Sequence, residues 1–328
     1  MDLIASLTLL GGNTSLNVNN IQTLSESQLN NIVETTGIVH QSRLSKVSFT
    51  QASTYLLDFA IKSSLPFPTH LITCTQTPDR LMPSPSLDII NTRDDLGFAN
   101  YADLRTGCTG FVDCSMLSSA FITAKNKSIV YCITGDISSR IVDPNDHATS
   151  LVFGDAVNLS VFQQGPGPQD PTSCYGFASY TDSKFRDAIC MDKKYINMDG
   201  LRVLTFVMQS VVPALQAYIQ RIDEIEGLSA CSLVLHQANK FIVELVNKKI
   251  KSEFPDLEIH PFCLGDVGNS SSSTIPLAIS RLFHGIQCKS KKAIICGFGV
   301  GMTTHIGVIR VQNLISHSFF EEEIIDCV

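Results

Sequence analysis

Three short apolar, β-rich runs in the first half of the chain, THLITCTQT, SIVYCITGD and AVNLSVF, are followed in the second half by ACSLVLHQA, KKAIICGFGV and THIGVIRV, in the same order. Segments of helical periodicity lie between the first two runs of each half. A chain with this repeat is constrained to build two similar α/β units. The unbroken Val, Ile and Leu content of the runs predicts strands covered by helices on both faces. A Pro/Gly-rich connector, QQGPGPQDPTS at 163–173, falls near the midpoint and sets the expected halves at 1–165 and 166–328. The opening MDLIASLTLLGGN lacks a basic leader and a clear cleavage site and reads as a first strand.

Composition removes several classes of function. A net charge of −7 argues against nucleic acid as a partner. No run of about 18 uninterrupted apolar residues occurs, so no membrane span is expected. The eleven cysteines are scattered, mostly in apolar strands, and no C-x-x-C pair is present. Neither a zinc site nor a dithiol redox motif is supported, and no cofactor is expected. Such usage fits buried free thiols in a reducing cytoplasm.

Four helices are expected. One follows Cys108, with Phe111, Val112, Met116, Leu117 and Phe121 as its apolar members. The run MDGLRVLTFVMQSVVPALQAYIQRI is a second, which Pro213 should kink or break. ANKFIVELVNKKIKSEF is amphipathic, and the serine run after Asn269 leads into IPLAISRLF with Pro276 in an early turn. The final SHSFFEEEIIDCV reads as a tail with a solvated acidic cluster.

The stretch RTGCTGFVDCSMLSSA places Cys108 at the mouth of the first helix, between small residues. Unpaired N–H groups and the positive dipole end there favour thiolate over thiol. Gly107 and Gly110 admit a tight approach. Against this stands the plainer reading of any free cysteine as a small core residue, which suits Cys114, six residues deeper. LVLHQAN releases His236 at the C-terminal end of a strand, and GDVGNSSSST sets Asn269 in a glycine-flanked loop. Taken singly, such a histidine is a structural residue and such an asparagine a turn former.

Together, GCTGF around Cys108, HQAN at 236–239, GNSSSSTIPLA and GFGVG at 297–301 resemble, in order, the motifs of the thiolase superfamily, and more narrowly of the 3-oxoacyl-ACP synthase III family. ITGDISSRIVDPND and VFGDAV add to the resemblance, which runs from about residue 36 to Val311 and is poor over the first 35 residues. It implies an α/β fold of five layers, αβαβα, made of two duplicated halves. Cys108 is then the acyl-accepting nucleophile, the backbone N–H groups of Cys108 and Val300 form an oxyanion hole, and His236 and Asn269 stabilise the enolate left when malonyl-ACP loses carbon dioxide. The implied partners are an acyl carrier protein, an acyl thioester carried by that protein or by coenzyme A, and malonyl-ACP. A dimer of identical or related chains is also implied, with Met82 at the tip of a loop reaching the partner's tunnel and Leu204 on the tunnel wall.

Departures bear on substrate. The family's coenzyme A grip uses an early Trp and two Arg, but this chain has no Trp and carries Val39 and His147 at the arginine positions. A weaker nucleotide grip follows, and acyl delivery on a carrier protein is the expectation. Lys240, Lys248 and Lys249 form a candidate dock for an acidic carrier, balanced against a merely solvated lysine face. His305 replaces a family Gly and is assigned to strand packing. Two other uses of the same residues stand beside condensation: acyl transfer from Cys108 without decarboxylation, and a tunnel-shaping subunit of a heterodimeric ketosynthase.

Overall fold

The computed structural model describes residues 1–16, 24–96, 100–124, 127–165, 176–191, 194–283 and 291–325. Most of the midpoint connector lies outside the described residues.

Ten strands carry the fold: β1 (Asp2–Leu10), β2 (His70–Cys74), β3 (Asn100–Leu104), β4 (Val130–Asp136) and β5 (Ala156–Gln163), then β6 (Ala178–Thr181), β7 (Cys231–Leu235), β8 (Glu258–Ile259), β9 (Lys291–Gly299) and β10 (Thr303–Phe320). The first five are ordered β3-β2-β4-β5-β1 and the second five β8-β7-β9-β10-β6. The directions repeat as well. β2 is parallel to β3 and β4, as β7 is to β8 and β9, while β5 and β10 run antiparallel to their neighbours on either side within each set. The matched apolar runs of the sequence are β2, β4 and β5 in one set and β7, β9 and β10 in the other.

Period-2 alternation sorts these strands into layers. Val130 and Cys132 of β4 face a middle layer, while Tyr131 and Ile133 face an outer one. From the other set, Val234, Ala293 and Ile295 face the same middle layer, and Leu233, Leu235, Ile294 and Cys296 face the opposite outside. Among the helices, α1 (Phe49–Lys62) covers the first outer face. The middle layer is filled by α2 (Gly110–Ala124) and, later in the chain, Thr274–Phe283. The second outer face is covered by α3 (Gly200–Phe206), α4 (Val212–Glu226) and α5 (Lys240–Glu253). The helix Thr274–Phe283 is α6. The result is the expected five-layered αβαβα arrangement of two duplicated halves.

Three details differ from the sequence reading. Pro213 interrupts its α-helix, as one of the two expected outcomes had it, but does not end the helical run. A π-helical turn at Val207–Val211 joins α3 to α4 and supplies the extra residue that absorbs the missing N–H. The run Gly200–Ile225 is thereby long and apolar enough to cross a membrane by length and composition, yet Phe206, Val207, Val211, Leu215 and Ile219 pack into the second outer core. The acidic tail is only partly solvated. Glu322 and Glu323 are exposed, but Glu321 is buried and its carboxylate accepts N–H bonds from Ser45, Lys46 and Val47 ahead of α1. Finally, β10 does not stop near Val311. It continues to Phe320, and past the end of its pairing with β9 it runs parallel to β1 with partners from Ala5↔Ile315 to Leu10↔Phe320. His305, on the first part of β10, pairs through Nδ1 with Asp113 of α2, consistent with a packing role.

Candidate active site

Cys108 sits in a single 3-10 turn, Gly107–Thr109, that leads directly into α2. Local geometry explains its glycines. Gly107 has φ +56°, and a side chain there would meet Gln76 and Val300 at 3.1 Å. A Cβ on Gly110 would lie 2.4 Å from the Cys74 sulfur. Gly299 has φ +152°, and a Cβ there would press within 3.0 Å of the Cys108 Sγ. The bare backbone at 299 lets the following amide approach the sulfur, toward which the N–H groups of Val300 and of Cys108 itself are directed.

His236 is the first residue past β7, and its N–H donates to the Cys296 carbonyl at 2.8 Å. The ring is buried, edge-on to Phe298, with Nδ1 2.6 Å from the Thr274 hydroxyl at the start of α6. Burial drives its pKa down to about 3, so the imidazole is neutral at physiological pH. Asn269 is threaded against the first half: its N–H donates to the Val152 carbonyl at 2.9 Å, and its own carbonyl accepts from Gly154 N–H at 3.0 Å. The Asn269 Oδ1 accepts the Ser271 N–H at 2.9 Å, which leaves the side-chain NH2 as the group offered to the cavity.

Cys108, His236 and Asn269 line one cavity of about 170 Å³. Val300 and Leu204 line it too, and Ile141, Ile189, Ile196, Met198 and Val203 give it an apolar wall. The Ser271 hydroxyl is 4.0 Å from the Cys108 Sγ. Met82 is 84% exposed and absent from this lining, so it does not shape its own chain's cavity. Lys240 opens α5 half-buried, whereas Lys248 and Lys249 stand exposed on the same helix. Cys114 is fully buried beside Cys74 and Cys132, with its thiol pushed up by burial.

One electrostatic expectation is overturned. The helix mouth was expected to favour thiolate, but the Cys108 thiol is pushed up to about 11. Burial dominates, and the nearby Asp136 charge adds to it. Hydrogen bonds from Ser271 and the two amides pull the other way without winning. The sulfur at rest is a thiol.

Four site residues were missed from sequence. Thr274 touches His236, and Ser271 holds Asn269 and faces the sulfur. Gln76 lines the cavity and donates its N–H to Asp136 at 2.6 Å. Asp136 ends β4 and is buried, with its carboxyl raised to about 6 by burial. The signal for Asp136 was the one that singled out His236, a polar residue released at the C-terminal end of a buried strand.

Comparisons with known proteins agree with this arrangement. Residues 102–181 match the family model for 3-oxoacyl-[acyl-carrier-protein] synthase III, and residues 230–311 match the model for its C-terminal part. The beta-ketoacyl-[acyl-carrier-protein] synthase III of Clostridium acetobutylicum is 27% identical over 71% of this chain and 74% of its own. That of Ehrlichia canis is 28% identical over 74% and 76%. Among solved structures, a 3-oxoacyl-(acyl-carrier protein) synthase from Burkholderia xenovorans superposes with a TM-score of 0.84 at 19% identity, covering 97% of this chain and 96% of the other. A priming β-ketosynthase of a polyketide pathway gives 0.74 at 18%, covering 95% and 97%. The fold and the ordered motifs define a thiolase-like condensing enzyme. The chain belongs to the 3-oxoacyl-ACP synthase III family.

Proposed function

We propose that this chain catalyses a decarboxylative Claisen condensation between an acyl group held on Cys108 and malonyl-ACP, in fatty-acid or polyketide-type biosynthesis. The observation that carries the reading is that a thiol from one half and an imidazole and carboxamide from the other line a single apolar cavity. In the first half-reaction the Cys108 sulfur attacks the thioester carbonyl, whose oxygen gathers charge against the Cys108 and Val300 N–H groups. The C–S bond to the donor breaks, and the Cys108 proton ends on the departing thiol. Because the resting thiol is protonated, proton transfer accompanies attack instead of preceding it.

In the second half-reaction malonyl-ACP loses carbon dioxide. The enolate oxygen accepts hydrogen bonds from the Asn269 NH2 and from His236 Nε2–H, and its carbon attacks the acyl–Cys108 carbonyl. The new C–C bond releases the Cys108 sulfur, which regains a proton. Neutral donors suit the step, and burial keeps His236 neutral. Simple acyl transfer has less use for two such donors. Carbon dioxide release from malonyl-ACP, measured with and without an acyl donor alongside the intact mass of the protein, tests the reading. Release without a C–C product, or an adduct without release, would replace it.

For Nε2 to donate, Nδ1 must accept; in this reading the single Thr274 hydroxyl proton goes to Nδ1, 2.6 Å away, in preference to the Ser271 carbonyl at 3.1 Å. Thr274→Val removes the donor and is expected to slow carbon dioxide release roughly 10- to 100-fold. Loading of Cys108 should fall less, and Thr274→Ser should restore the rate.

The carrier protein docks, in this reading, on Lys240, Lys248 and Lys249 of α5, the helix whose second residue, Phe241, is both exposed and cavity-lining. Reversing charge at Lys248 and Lys249 together is expected to raise KM for the carrier substrate roughly three- to tenfold with kcat held, the scale of about 1 kcal/mol of exposed charge pairing. An exposed Met82 outside its own cavity fits a dimer in which that loop meets the partner's tunnel. Cys74, Cys108, Cys114, Cys132, Cys263 and Cys296 are free thiols, which suits a reaction in the cytoplasm.

A further inference from the structure

A second cavity, of about 110 Å³, adjoins the one that holds the sulfur. Gln76, Ile141, Ile189, Ile196 and Val300 line both, so the two are divided only by side chains that already surround Cys108. The second cavity adds Cys190, Met191 and one charged group, Arg105. Arg105 directly follows β3, which lies at the end of its sheet, and precedes Cys108 by three residues. Among the described residues it makes no ion pair or hydrogen bond, whereas Arg80, Arg93, Arg281 and Arg310 are each held by a carboxylate.

A guanidinium is a planar fork of donors whose best complement is a carboxylate. Apart from Gln76 the shared wall is aliphatic and matches methylene groups. Arg105 is exposed, so water serves its donors beside a hydrocarbon end, whereas a chain ending in a carboxylate would match the wall with its methylenes and pair with the fork by charge-assisted hydrogen bonds. Three backbone steps keep the two Cα atoms within about 11 Å, and the second cavity holds only about 110 Å³, so such a chain is short.

We propose that Arg105 is a specificity-determining residue that binds the terminal carboxylate of the acyl group, so that the primer is the monothioester of a short dicarboxylic acid. This rests on Cys108 being the acyl acceptor. The acyl carbon is bonded to the Cys108 sulfur, the methylenes pass Gln76 and Val300 between Ile141, Ile189 and Ile196, and the far carboxylate pairs with Arg105 in the second cavity.

The test offers the full-length protein glutaryl- and pentanoyl-pantetheine, which share chain length and differ in the terminal group, and follows mass addition at Cys108 with time. The wild type is expected to load glutaryl roughly three- to tenfold faster than pentanoyl, the scale of an exposed ion pair. In Arg105→Met the ratio should fall to near one, and Arg105→Lys should keep part of the preference. The readout is a ratio within one protein preparation, so partial unfolding cannot mimic it. Equal wild-type rates, or a glutaryl preference that survives in Arg105→Met, overturns the proposal and points to an acidic group on another chain as the arginine's partner. If neither donor modifies Cys108 in the wild type, the condensing-enzyme reading itself falls, a result distinct from loading without preference.

Discussion

Cys108→Ala is expected to take up no acyl group and to lose condensation by at least about 10³-fold, while carbon dioxide release from malonyl-ACP continues. The separation follows from where the groups come from. The sulfur enters the cavity from the 3-10 turn ahead of α2, whereas His236 and Asn269, the proposed enolate donors, hang from the end of β7 and the loop ahead of α6. Removing the sulfur leaves the Thr274–His236 and Ser271–Asn269 hydrogen bonds in place. The wild-type sulfur should also be sluggish toward iodoacetamide at neutral pH. Its thiol is held near 11 by burial, so the reactive thiolate grows about tenfold per pH unit as pH rises toward that value. Fast alkylation at pH 7 would mean that the amides of Cys108 and Val300 outweigh burial after all.

Asn269→Ala is expected to do the reverse. Cys108 still acquires an acyl group, but release of carbon dioxide falls about 10²- to 10³-fold, the scale of losing one preorganised oxyanion donor. His236→Ala should fall in the same range. The two losses are not expected to add, because both donors serve one oxygen. The measurement is release from malonyl-ACP with the acyl donor withheld, so that the second half-reaction is read by itself. A variant at Asn269 that decarboxylates normally but fails to load Cys108 would assign that side chain to the wrong half-reaction.

Much of this is legible in the amino-acid sequence. The six apolar runs became β2, β4, β5, β7, β9 and β10, because an unbroken aliphatic run between turn residues has few fates other than a strand covered on both faces. Cys108, His236 and Asn269 stood out because each lies at the end of a regular element, where a buried sheet can expose a side chain. What stayed hidden depended on packing at a distance in sequence. Thr274 lies 38 residues from His236, and nothing in a serine-rich run tells which hydroxyl faces an imidazole. Glu321 looked like one of three equal carboxylates until its position against Ser45, Lys46 and Val47 singled it out. The thiol's resting state was misjudged because helix dipole and burial oppose each other at Cys108, and the degree of burial is set by the whole cavity. The accommodation of Pro213 by a wide turn is likewise a decision of the packed helix, since the residue alone permits either a break or a π-turn.

The long β10 strand has a bearing on how the molecule comes into being. Its last residues lie beside β1, and Asp2 is paired with Arg310 across 308 positions of sequence. A nascent chain leaving the ribosome therefore carries one flank of β1 unclaimed until almost all of β10 has been translated. An apolar strand flank waiting that long invites association with other chains, so maturation of the first half is tied to synthesis of β10, and a chain cut short before β10 should be insoluble rather than a working half.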